Sequence, residues 1–89
     1  MKCITRIANK AEISEKTKNQ AINLMNAVIE VEISAGKDPM GLAATIIYAS
    51  CVKTGEMKTQ KELANAADIT DVTLRTRLKD LKHHLDLLN

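Results

Sequence analysis

The stretch that most restricts this chain is "MGLAATIIYASCVKTG", residues 40–55. Wound as an α-helix it is apolar nearly all round, and such a helix cannot lie on a surface; other elements must surround it. Asp38-Pro39 supplies an N-cap followed by proline at the first helical position. Gly55 closes the segment, and Gly41, Ala43, Ala44 and Ala49 are small enough to let neighbouring backbones approach closely.

The neighbours are helices too. Of the 89 residues 45% are apolar, yet Tyr48 is the sole aromatic, and there are one Pro and three Gly. A core of Leu, Ile, Val, Ala and Met packs well between helices, and so few turn residues argue against a multi-stranded sheet. The expected fold is all-α, a single domain.

Four further helical segments are read. The first, Cys3 to Lys10, carries Ile4 and Ile7 on one side, with Ala11 and Ile13 leading out. The second opens at Ser14 as N-cap, with Glu15 in its first turn where the helix dipole favours an acid. Ile22, Met25, Ile29 and Ile33 mark its inner stripe, and Ala35-Gly36 ends it. The fourth, "TQKELANAAD", pairs Thr59 with Glu62 as a capping box and turns Leu63, Ala66 and Ala67 inward. After the turn "DIT", Thr70 caps a fifth helix whose leucines recur at 74, 78, 81, 85 and 88. Two helices joined this tightly, with small residues in the first and Ile69 in the turn, have the pattern of a helix-turn-helix over about 59–82.

In that motif the start of the second helix reaches base edges. With the leucines inward, Val72, Arg75, Thr76, Lys79 and Lys82 face outward. Arg bonds bidentately to a guanine edge and Val can touch a thymine methyl. Thr59 and Gln60, opening the first helix of the pair, are placed to hold a phosphate. A purely structural reading stands beside this one: Val72 staples the turn, Arg75 pairs with Asp71 at spacing four, and Lys79 and Lys82 only solubilise. Spacing alone does not choose between them.

Charge limits any nucleic-acid role. The net charge is +2; six Lys or Arg meet four Asp or Glu in the first 37 residues, and residues 56–89 balance six against six. Non-specific affinity rises with each phosphate neutralised, so DNA binding here needs site-specific contacts or a partner.

Other chemistries find little support. Cys3 and Cys51 form no CxxC pair, and adjacent His83 and His84 point about 100° apart on a helix, so reduced thiols and no metal are expected. No paired carboxylates, nucleophile–base set or glycine-rich phosphate loop marks an enzyme, and no cofactor is expected. The longest apolar-rich run, Met40 to Val52, is short of the about 20 residues a membrane span needs.

Residues 36–81, "GKDPMGLAATIIYASCVKTGEMKTQKELANAADITDVTLRTRLKDL", resemble the second cyclin-type repeat of archaeal transcription factor B, of the transcription factor IIB family. The shared pattern comprises Gly36, Lys37, Pro39, Gly41 to Ala44, Tyr48, Thr59, Gln60, Glu62, Ala64, Thr70, Val72, Thr73, Arg75, Arg77 and Lys79. Leu78 stands where the family has an aromatic, a change on the core side. The resemblance implies a five-helix cyclin-box repeat with its third helix surrounded, spanning 1–89 and excised from a longer factor.

It also implies a role: general transcription initiation, with the helix-turn-helix in the major groove upstream of TATA. The implied partners are double-stranded promoter DNA, TATA-binding protein and, through the full-length factor, RNA polymerase. Val72 and Arg75 are then base contacts. Thr59, Gln60, Thr70, Thr76, Arg77 and Lys79 become backbone or positioning contacts. The implied setting is cytoplasmic and nucleoid-associated, with the isolated domain a monomer. The alternative is a cyclin-like module that binds protein without reading DNA.

Overall fold

Residues 39–54 form the helix that the others enclose. A computed structural model describes residues 2–30 and 39–88 as five helices: α1 (Lys2–Lys10), α2 (Glu15–Glu30), α3 (Pro39–Thr54), α4 (Gln60–Ala66) and α5 (Asp71–Leu88). Of residues 83–88 only the backbone is described. The helix end expected at Ala35-Gly36, the cap Asp38 and the inward Ile33 lie outside the described residues, as do the side chains of Ile29, Leu85 and Leu88. Among the described residues there is no strand.

α3 packs against each of the other four helices. Ala43, Ala44, Ile46, Ile47 and Cys51 are fully buried, and Leu42 nearly so. Two polar residues are buried with them. Thr45 donates its hydroxyl to the Gly41 carbonyl at 2.8 Å and Ser50 to the Ile46 carbonyl at 2.8 Å. Both acceptors are one turn back in the same helix, so neither hydroxyl is left unsatisfied in the core. The enclosure is incomplete on one side: Tyr48 and Ala49 are half-buried, and Val52 is 66% exposed.

Ile4 and Ile7 seat α1 on this core, as their spacing predicts. Ser14 caps α2, its Oγ accepting the Thr17 N–H at 3.3 Å. The inner face of α2 differs from the expected stripe. Ile22 is only half-buried, whereas Thr17, Ala21 and Met25, each four residues apart, are buried. Met25 is inward as expected, but Thr17 and Ala21 make the rest of the buried face small, which lets the two helices come close; a ranking by hydrophobicity passes over Thr and Ala and picks the isoleucine beside them.

Three helix ends share one geometry. α1 ends with Glu12 at φ 56°, α3 with Gly55 at φ 82°, and the α4 end has Asp68 at φ 59°. In each, the following N–H reaches back to close the last turn: Ile13 to the Ala8 carbonyl, Glu56 to Cys51 and Ile69 to Ala64, all at 2.9 Å. This is the Schellman closure, whose left-handed residue is ordinarily glycine. Here glycine fills one of the three.

Candidate nucleic-acid interface

The turn between α4 and α5 is fixed at both ends. On the α4 side the Schellman closure sets Ala67 to Ile69, with the Asp68 N–H donating to the Asn65 carbonyl at 3.1 Å. On the α5 side Thr70 is the N-cap: its Oγ1 accepts the Thr73 N–H at 3.1 Å and lies 2.9 Å from the Thr73 hydroxyl. Asp71 occupies the first turn. Leu74, Leu78 and Leu81 are buried, so α5 is held against the core from Leu74 to Leu81. Burying each leucine contributes about 1.5–3 kcal/mol relative to leaving it exposed.

With that face fixed, the opposite one is determined. Val72, Arg75, Thr76, Lys79 and Lys82 are all exposed and fall on a single stripe of α5. Val72 is 63% exposed, so it does not staple the turn. Arg75 does pair with Asp71, its Nη2 lying 3.6 Å from Oδ2, with the Arg side chain 60% exposed. A bridge this exposed contributes only a few tenths of a kcal/mol and leaves the guanidinium available to a better acceptor.

The remaining site candidates are less uniform. Thr59 is exposed and forms the expected capping box: its Oγ1 accepts the Glu62 N–H at 3.0 Å, while its own N–H donates to the Glu62 carboxylate at 3.2 Å. Both of its polar groups are thereby engaged in opening α4. Gln60 is half-buried and lines a groove of about 420 Å³ with Tyr48, Leu78 and Lys82. That places the start of α4 beside Lys82, about 15 Å along α5 from Val72 at 1.5 Å per residue. Arg77 is half-buried and, at 100° per residue, sits about 140° around α5 from Val72, off the outward stripe.

The Cys51 thiol is raised to about 11 by burial first and by the nearby Glu56 charge second. It stays protonated at neutral pH and is a poor nucleophile or metal ligand. Among the described residues no group of three His, Cys, Asp or Glu side chains is placed to hold a metal ion. No described helix is long and apolar enough to cross a membrane.

These features define a five-helix, all-α domain carrying a helix-turn-helix whose second helix presents a mixed apolar and basic stripe. Residues 1–84 match the transcription factor TFIIB repeat. The chain is 40% identical over 84 residues to transcription initiation factor IIB of Sulfurisphaera tokodaii, covering 94% of this chain and 27% of that protein. Identity to the Pyrodictium occultum factor IIB and to factor IIB 1 of Thermoplasma volcanium is 38% over the same length, again 94% of this chain and 27% of each relative. The chain therefore belongs to the transcription factor TFIIB repeat family, a cyclin-like all-helical fold, and spans about a quarter of the length of these relatives. Each of the three is named an initiation factor and not an enzyme.

Proposed function

We propose that this domain reads double-stranded promoter DNA upstream of TATA, with the start of α5 in the major groove, as part of a general transcription initiation factor. The observation that carries the reading is the stripe of Val72, Arg75, Thr76 and Lys79, exposed on the helix that the buried leucines and the Thr70 cap hold in place. Val72 meets a thymine methyl and Arg75 a guanine edge, exchanging Asp71 for the two acceptors of the base. Thr76 and Lys79 follow the groove wall. Thr59 and Gln60, at the far end of the pair, lie toward a phosphate strand; Thr70 acts by positioning, through its cap. Arg77, off the stripe, is assigned the same positioning role.

In this role residues 1–89 act as one repeat, the second of its factor, working with TATA-binding protein on bent promoter DNA. Contact with RNA polymerase comes through the rest of the factor, in the nucleoid of the cytoplasm, and the isolated domain is a monomer. Near-neutral charge across residues 56–89 supports the need for a partner, because phosphate contacts alone supply little affinity here.

The test is Arg75→Ala, measured with TATA-binding protein on two promoters that differ only in the upstream element. The expected loss is about 1–3 kcal/mol with the element intact and much less with it scrambled. Equal losses on both promoters refute base reading. One observation favours a second reading, a module that binds protein alone: Val52 and Met57, 66% and 93% exposed, border the half-buried Tyr48 and form an apolar surface that meets the α5 stripe at Lys82. Titrations with promoter duplex plus TATA-binding protein that shift the NMR signals of this surface and leave Val72 and Arg75 silent select it.

A further inference from the structure

The end of α5 that enters the groove in the proposed complex is flanked by two acids, Asp68 and Asp71, and both oppose an approaching phosphate. The compensating charge comes from the other end of the sequence. Arg6 and Lys10 stand one turn apart on α1, exposed, while Ile4 and Ile7 on the opposite side fix that helix to the core. Together with Ala67, Asp68 and Ile69, the turn of the helix-turn-helix, they line an open recess of about 300 Å³. Among the described residues neither cation has a salt bridge or hydrogen bond. Two like charges at this spacing destabilise a helix slightly. The helix dipole favours a cation at Lys10, in the last turn, but offers no such reason for Arg6.

We infer that Arg6 and Lys10 form a second grip on DNA, holding backbone phosphate beside the turn that delivers α5 to the major groove. This rests on the DNA-reading function proposed above. Two adjacent phosphates at the recess, one for each cation, relieve the repulsion between them, and the Arg6 guanidinium can meet its phosphate with two parallel N–H donors. The contact carries no sequence information; it sets the register in which Val72 and Arg75 meet the bases. It also accounts for the basic excess in the first 37 residues, which the helix-turn-helix itself lacks. Asp68 lines the same recess without bridging either cation, and its charge weakens the grip when DNA is present.

The experiment is fluorescence anisotropy of the labelled 89-residue chain with promoter duplexes bound by TATA-binding protein, intact or scrambled in the upstream element, across a salt series. Circular dichroism checks that each variant keeps its helicity. Arg6→Gln/Lys10→Gln is expected to weaken binding by the same factor on both duplexes. It should also reduce the slope of log affinity against log salt by about 1.8, about 0.9 for each lost phosphate contact. Lys10→Gln alone should give half that change, and Asp68→Asn should tighten binding at low salt. If the wild type binds duplex but the double variant keeps its slope and affinity, the α1 grip is wrong and base reading by α5 stands. A loss confined to the intact element means base contact and also overturns it. An unchanged or lower affinity in Asp68→Asn counts against the recess. Failure of the wild-type chain to bind any duplex with TATA-binding protein present overturns the DNA-reading function, and the grip with it.

Discussion

The Glu56 carboxylate accepts both groups that Ser14 can donate, the hydroxyl at 2.7 Å and the backbone N–H at 3.1 Å. Ser14 is itself the cap of α2, and Glu56 follows the glycine that ends α3, so one carboxylate ties the start of one helix to the end of another. The tie continues inward. The Thr17 and Thr54 hydroxyls are 2.7 Å apart, and Thr54 donates to the Ser50 carbonyl at 3.0 Å.

This tie makes stability depend on acid. Hydrogen bonding from Thr17, and then from Ser14, holds the Glu56 carboxyl below its ordinary value of 4.5, with burial working against it. A carboxyl depressed in the folded state stabilises fully above its unfolded value and loses that contribution as pH falls through the folded value. Glu56→Gln should therefore cost about 1 kcal/mol near neutral pH, the loss of hydrogen bonds to a charged but partly exposed acceptor. The gap between wild type and variant should close as pH falls below about 4.5. Thermal melts of both proteins at pH 3 and pH 7 decide it; a gap independent of pH would show that charge on Glu56 plays no part.

The left-handed residues give a second prediction, with opposite signs at different helix ends. Glu12 and Asp68 adopt positive φ without being glycine. Glu12→Gly should raise stability by about 1 kcal/mol, and Asp68→Gly by less, since a short acid tolerates this conformation better. Gly55→Ala should lower stability by about 1 kcal/mol although an added Cβ meets nothing within 4 Å, the cost being conformational alone. Urea denaturation of the three variants reads all three signs.

Helix α4 is seven residues long and leans on its capping box. Thr59→Ala should destabilise the domain by about 1 kcal/mol, removing the acceptor for the Glu62 N–H. Thr59→Ser keeps that oxygen and should recover most of the loss. Chemical denaturation of both variants gives the answer, and equal losses would show that the methyl group, not the cap, is what matters.

The Arg75–Asp71 pair separates stability from recognition. Asp71→Asn should change stability by no more than about 0.5 kcal/mol, because the bridge is exposed. By freeing the guanidinium and removing an acid from the end of α5 proposed to enter the groove, it should tighten binding to the intact promoter element. Anisotropy titration at fixed salt measures this; weaker binding would mean that Asp71 orients Arg75 for the base.

What the sequence reveals depends on how local the cause is. The all-round apolar character of residues 40–52, the caps at Ser14, Thr59 and Thr70, and the leucine series of α5 act over one or two turns, and each is readable without coordinates. So is the outward face of α5, once the leucines fix its inner one. The seam of α2 is not, because Thr17 and Ala21 owe their burial to the close approach of α3 and not to their own hydrophobicity. The Ser14–Glu56 tie joins positions 42 apart, and no periodicity signals it. The choice between Val72 as staple and Val72 as exposed contact turned on the course of the backbone at Asp68 and Ile69. Arg6 and Lys10 read only as a share of the basic excess until the fold sets them beside that turn.

In α5 the residues that hold the domain together and those available to a ligand do not overlap: Leu74, Leu78 and Leu81 do the first, while positions 72, 75, 76 and 79 are open to the second. Substitutions at those four open positions can therefore drift, or be randomised in a library, without jeopardising folding. With α5 reading DNA as proposed, one scaffold of this kind can be retuned to new operator sequences by exchanging a handful of side chains, and a duplicated copy can diverge in what it recognises while its interior stays under the same selection.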